Sequence, residues 1–126
     1  MDVNYQSQTQ IAPSPGVRSQ QAPCGEVCPN FHAAIELIGK RGTGAILCAL
    51  IERPMRYGEL GKAVPGLSDR LLSQRLRELE DDGLVERQVE AATPVRVTYS
   101  LTVSGRELDP ALSEIKAWAK RWKKTG

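Results

Sequence analysis

The sequence predicts a mainly α-helical domain that carries one small β-hairpin. Three observations lead there. Apolar residues between Pro29 and Asp82 recur with the helical period in successive stretches. After Gly83 the period drops to two, in "LVERQVE" and "VRVTYSL". A new helical seam then runs toward the end of the chain, with Leu108, Leu112, Ile115, Ala119 and Trp122 spaced four and three apart.

Residues 1 to 23 hold Gln, Ser and Pro with little to bury, so they read as a flexible tail. Order is expected from Cys24, with one domain over 24–126. A first helix runs from Pro29 to about Ile38, with Cys28 as N-cap and Pro29 at the first helical position, where a missing N–H costs nothing. Ala34, Leu37 and Ile38 form its apolar face. A second helix spans about 41 to 52, carries Ile46, Leu47, Leu50 and Ile51, and stops at Pro54. A short third helix lies near Tyr57 to Val64 and ends at "VPG". The fourth starts after Ser68, a good N-cap, and closes at Gly83. The two strands follow, joined by "AATP". A last helix covers about Val103 to Lys123, and Pro110 either kinks it or marks its true start.

Helices three and four, joined through "PGL", form a helix-turn-helix. The hairpin straight after its second helix makes it a winged one, and the seam of the last helix suits packing along another helix. At 126 residues there is room for one core. The chain is 40% hydrophobic and 25% charged, an ordinary soluble balance. No apolar run reaches the roughly 18 residues of a membrane span, and the amino terminus lacks a basic start followed by an apolar block. Three cysteines, an odd number, point to a reducing cytoplasm rather than a disulfide framework. A net charge of +2 and a pI of about 8.5 permit nucleic-acid binding without arguing for it. One histidine and no nucleophile–base pattern leave an enzyme, even a thiol redox enzyme, as the weakest alternative. No cofactor is implied.

The fourth helix can be read by angle, at about 100° per residue. Leu72, Leu76 and Leu79 fall in one narrow sector, which should face the core. Arg70, Gln74 and Arg77 fall opposite. Arginine donates two hydrogen bonds to guanine and glutamine pairs with adenine, both at major-groove edges. Ser68, Asp69 and Ser73 fall near the start of the same helix, where hydroxyls and the helix N-terminus can position phosphates. The acids Glu78, Glu80, Asp81 and Asp82 should mark the end that points away from a duplex. Arg87 and Arg96 lie on the hairpin, whose "TPVR" tip suits a minor groove. Arg56 and Lys62 can add backbone contacts. A charged helix face is also what any solvated helix shows. The context of turn, helix and basic hairpin is what favours double-stranded DNA.

Three segments carry a closer likeness. "CPNFHAAIELIGKR", "RYGELGKAVPGLSDRLLSQRLRELEDDGLVER" and "PVRVTYSLTVSGREL" closely resemble the HxlR-type winged helix-turn-helix transcriptional regulators, relatives of the MarR regulators. The likeness covers about residues 24 to 122. It implies a homodimer built through the first and last helices, a pseudo-palindromic operator, repression as the commoner outcome, and a small-molecule or redox input. The family's recognition helix maps onto Ser68 to Asp82, its wing onto Leu84 to Leu101, and its sensing cysteine onto Cys28.

Two features of the sequence carry alternatives. Gly39, Gly42 and Gly44 sit in "LIGKRGTGAILCAL", but the phosphate-loop order is absent because Arg41 stands where Ser or Thr should follow Lys40. The family pattern there reads close to G-G-K-W-T-L, so Gly42 replaces a tryptophan and Gly44 a large aliphatic residue. Either neighbours refill the space, or a cavity beside Gly42, Gly44 and Ile46 receives an apolar effector. The second feature is the thiols. Cys28 at a helix start favours thiolate, and Cys24 is near enough to act as its resolving partner. Cys48 reads as a small buried hydrophobe. Cys28 as an inert cap is the competing reading. Cys24, Cys28 and His32, spaced by four, suggest metal sensing as a minor alternative. Pro29 argues against one continuous helix through them, and three ligands fall short of the usual four.

Overall fold

The computed structural model describes residues 28–123. The tail over residues 1–23 and Cys24 lie outside that range. The described residues fall into two compact units that meet between Gly39 and Lys40.

The first unit is helix α1, Pro29–Ile38, with the proline in its first turn and Cys28 as N-cap. Its bounds are those the sequence predicts. No residue of α1 is fully buried, and Phe31 and Ile35 are exposed.

The second unit carries the core. Helix α2, Thr43–Glu52, buries Ile46, Leu47 and Leu50. Strand β1, Met55–Arg56, leads directly into α3, Tyr57–Ala63. Helix α4, Asp69–Asp81, buries Leu72, Leu76 and Leu79. The hairpin consists of β2, Val85–Glu90, and β3, Arg96–Leu101, and the chain ends with α5, Val103–Arg106, and α6, Asp109–Trp122. Each fully buried leucine contributes about 1.5–3 kcal/mol, so the leucine face of α4 anchors the helix in the core, where it packs on β2.

Three expectations are corrected. The sheet has three strands, not two, in the antiparallel order β1–β3–β2, with Met55 opposite Tyr99 and Arg56 opposite Thr98. The last helix is two helices. Pro110 sits in the first turn of α6, so it marks a true start rather than a kink. The second helix begins at Thr43, and Gly42 is its N-cap at φ 89 rather than an interior residue.

Gly42 also answers the question of the missing tryptophan. A Cβ on Gly42 would lie 2.6 Å from Leu67 Cδ1, so the leucine that precedes the α4 cap already fills the space. Ile46 is wholly buried in the core. At Gly42 and Ile46 the packing is that of the refilled alternative, with Leu67 and the core occupying the space. Gly44 is half-buried, with open space where a side chain would begin.

Thr102 ties the end of β3 to the turn between α4 and β2. Thr102 Oγ1 donates to the Gly83 carbonyl at 2.6 Å and accepts from Gly105 N at 3.2 Å, capping α5. Its own N–H donates to the Leu84 carbonyl at 3.0 Å. Gly105 packs directly on that same carbonyl, where no side chain would fit. Leu108 and Leu112 complete the seam against the core, while Ile115, Trp118 and Trp122 continue along α6 in the open.

Candidate nucleic-acid interface

Helix α4 opens on Ser68, whose Oγ accepts from Leu71 N at 3.1 Å. That bond satisfies one of the helix's four free donors and leaves the remaining first-turn N–H groups with the positive end of the dipole. Arg70, Gln74 and Arg77 are all exposed on the face opposite the buried leucines. Among the described residues neither Arg70 nor Arg77 is held by a hydrogen bond or ion pair. Gln74 Nε2 donates to Glu78 Oε2 at 3.3 Å. Asp69 is exposed in the first turn.

Ser73 is placed differently from expectation. It is half-buried and 3.1 Å from Tyr57 Oη. The tyrosine hydroxyl donates to the Asp69 carbonyl at 2.7 Å, so the Ser73 hydroxyl is the donor between the two. Ser73 is thus part of the joint between α3 and α4 rather than a free phosphate ligand.

Beside α4 lies an open groove of ≈ 340 Å³. Leu76 forms its floor, Tyr57, Ser73, Arg77 and Glu80 one side, and Arg87 and Tyr99 of the sheet the other. Two guanidinium groups therefore approach one groove from two elements. Glu80, expected to point away with the other acids of that end, lines it too.

Strand register separates the two wing arginines. Arg87 lies opposite Tyr99, and Glu90 lies opposite Arg96. Side chains alternate along a strand, and directly opposed residues share a face. Arg87 therefore shares the face of Val85, Met55 and Leu101, which packs on the core. Arg96 shares the other face with Thr98, Gln88 and Arg56. Both arginines are exposed, as are Arg56, Lys62 and the tip from Thr93 to Val95.

Arg56 begins α3. Its N–H donates to Glu59 Oε1 at 2.9 Å, and Arg53 pairs with the same carboxyl group at 3.4 Å. The backbone hydrogen bond, helped by the Arg53 charge, holds Glu59 below its ordinary value of 4.5 against the opposing effect of desolvation.

Sequence reasoning passed over Arg75. Its side chain is 13% exposed, its Nε donates to the Arg41 carbonyl at 2.9 Å, and its Nη1 lies 3.2 Å from Glu78 Oε1. Its place between the leucine and arginine faces of α4 was the available signal. Tyr57 was passed over as well, and nothing local in the sequence marks its long-range bonds.

The thiols and histidine are simpler. Cys28 is half-buried and free, with no side-chain cap bond. Cys48 is also half-buried and free rather than fully enclosed. His32 Nε2 lies 3.5 Å from Glu36 Oε2, one turn along α1, with both side chains exposed. Among the described residues no three metal-ligating side chains converge, and none of the helices is long and apolar enough to cross a membrane.

Comparison with known proteins places this geometry. The HxlR-like helix-turn-helix family matches residues 37–126. The HTH-type transcriptional regulator YvaP of Bacillus subtilis is 45% identical over 97 residues, covering 77% of this chain and 90% of that protein. YodB of the same organism is 40% identical over 100 residues, covering 79% and 89%. The reduced form of YodB superposes with a TM-score of 0.71 over 80% of this chain and 99% of that one, at 40% identity. The oxidised redox regulator HypR gives 0.72 over 76% and 99%, at 32% identity. With α4, its turn and its wing in the places these regulators share, the chain is a member of the HxlR-like family of winged helix-turn-helix transcriptional regulators.

Proposed function

We propose that this regulator lays α4 in the major groove of double-stranded DNA, with Arg70, Gln74 and Arg77 at base edges. The observation that carries this is the two-sided character of the helix: three leucines fully buried, and three long polar side chains projecting on the opposite side. Ser68, Asp69 and the N-terminal turn stand at the backbone, where Ser68 can still donate its hydroxyl proton to a phosphate. Arg87 reaches the same side as Arg77, while Arg96 and Arg56 serve the opposite face of the wing.

The operator is read by a homodimer over two half-sites about one helical turn apart, and binding represses. Two exposed apolar faces support the dimer: Phe31 and Ile35 on α1, and Ile115, Trp118 and Trp122 on α6. Exposed patches of this kind mark interaction surfaces. The 24–126 stretch acts as the working domain.

The input is a thiol-directed signal received at Cys28, with Cys24 as resolving partner. Support comes from the half-exposed free thiol at the start of α1 and from relatives solved as reduced, diamide-treated and quinone-bound YodB and as reduced and oxidised HypR.

A mobility-shift titration with the duplex upstream of the chain's own gene tests the interface. Wild type should bind with an affinity that falls steeply with salt, and Arg70→Ala with Arg77→Ala should abolish the shift while the melting temperature holds. Retained binding by that double variant refutes the assignment. Diamide should weaken binding by wild type and leave Cys28→Ser unchanged. An equal response in both removes Cys28 from the mechanism.

A further inference from the structure

Glu78 is tied to more partners than any other acid on α4 among the described residues. Its Oε2 accepts from Gln74 Nε2 at 3.3 Å, its Oε1 lies 3.2 Å from Arg75 Nη1, and Lys40 Nζ is 3.5 Å from the same oxygen. Arg75 in turn donates to the Arg41 carbonyl at 2.9 Å. A chain of polar contacts thus runs from the outer face of α4 to the turn that begins α2. We propose that Glu78 is a positioning residue that sets the base preference of Gln74, making it read adenine and refuse guanine. This rests on the reading of α4 as the base-contacting helix.

The argument is one of donors and acceptors. A glutamine amide has two N–H donors and one carbonyl acceptor. Adenine offers an N6–H donor and an N7 acceptor in the major groove, whereas guanine offers two acceptors, O6 and N7. A free amide serves either base: it meets adenine with its oxygen and one N–H, or guanine with both N–H groups. An ionised carboxylate has no donor, so Glu78 can hold the amide only by its nitrogen. One N–H is consumed. What remains is the oxygen and a single N–H, the complement of adenine.

Glu78 is suited to this because it stays ionised. Partial burial pushes its acidity down, but the hydrogen bond from Gln74 and the charges of Lys40 and Arg75 outweigh that and hold the group below its ordinary value. The carboxyl is 28% exposed; Arg75 Nη1 reaches both of its oxygens, at 3.2 and 3.4 Å, and Lys40 Nζ lies 3.5 Å from Oε1. The amide therefore meets a fixed acceptor rather than a mobile one.

The test is selection of bound duplexes from a randomised library, followed by affinities on duplexes that differ only by A or G at the Gln74 position. Wild type should favour adenine there by about tenfold or more, the discrimination one bidentate contact supplies. Gln74→Ala should bring the ratio close to one. Glu78→Ala and the isosteric Glu78→Gln should admit guanine, lowering the ratio several-fold at that position while preferences elsewhere in the half-site hold. Lys40→Met, which removes a partner of the carboxylate but not its link to Gln74, should keep the wild-type ratio.

An unchanged ratio in both Glu78 variants overturns the inference, as does an equal fall in Lys40→Met, which would reflect general loosening. A motif unaltered by Gln74→Ala also overturns it, yet leaves the interface standing if Arg70→Ala and Arg77→Ala still lose binding. A wild type that selects no motif overturns both.

Discussion

Helix α4 and the wing beside it are held in opposite ways. Leu72, Leu76 and Leu79 fix α4 along its whole length, and the bonds of Tyr57 to Asp69, Arg75 to Arg41 and Lys40 to Glu78 attach it from its start to its last turn. The wing is buried only at its root, at Val85 and Leu101, and its outer half exposes Val89 and Val95. Beyond the root, the hairpin's own ladder is what keeps it in shape. Under the proposed assignment, the difference separates two tasks. Base reading needs side chains held to a fraction of an ångström on a rigid element, whereas contacts to phosphate tolerate adjustment because they carry no sequence information. On the proposed reading, the rigid element is the one that discriminates between bases.

Substitutions can break that contrast in graded steps. Leu76→Ala should have the largest effect, about 2–5 kcal/mol of stability by denaturant unfolding, with operator binding lost along with the fold. Arg70→Ala or Arg77→Ala should each weaken operator binding by about 1–3 kcal/mol with an unchanged melting temperature. A large drop in melting temperature in either would mean that the arginine serves the fold. Thr102→Val tests the joint between the two regions. It removes the bonds to Gly83 and Gly105 and should cost about 1 kcal/mol, with faster hydrogen exchange in the wing than in α4.

Arg87→Ala and Arg96→Ala should lower affinity uniformly across operator variants, each reducing the slope of log K against log salt by about 1. A change in base preference from either would place sequence reading in the wing and erase the contrast. The smallest expected effect concerns Glu59. Its folded-state acidity lies below the ordinary value of 4.5, so the unfolded chain binds the proton first. The contribution is present above that value and disappears as pH falls through the folded-state value. Glu59→Gln should therefore flatten the acid side of a melting-temperature profile taken from neutral to acid pH.

Much of this architecture was legible because local chemistry marked it. Pro29 set the start of α1, Ser68 and Gly83 bracketed α4, and the change from helical to alternating period located β2 and β3. Strand β1 was not legible. Two residues after Pro54 have no period of their own, and Met55 and Arg56 become a strand only because β3 pairs with them. The division of the last helix turned on Pro110, which the sequence left undecided between kink and start. Of the proposed interface, the angular separation of leucines from Arg70, Gln74 and Arg77 could be read in advance, since it depends on helix geometry alone. Ser73 could not, because its partner Tyr57 is brought near by the turn between α3 and α4. The opposite facing of Arg87 and Arg96 needed the strand register, which composition does not supply.

Leu67 and Gly42 together forbid a side chain at the start of α2. Gly42 holds a backbone angle that side-chain-bearing residues rarely adopt, and Leu67 occupies the room a side chain would need. Restoring a bulky residue there alone meets two obstacles at once, and trimming Leu67 alone removes only one of them. A tryptophan at position 42 is thus accommodated only through paired changes that also re-bend the chain. Because Leu67 adjoins Ser68, any such re-bending would register first at the leading edge of α4, the helix proposed to read bases.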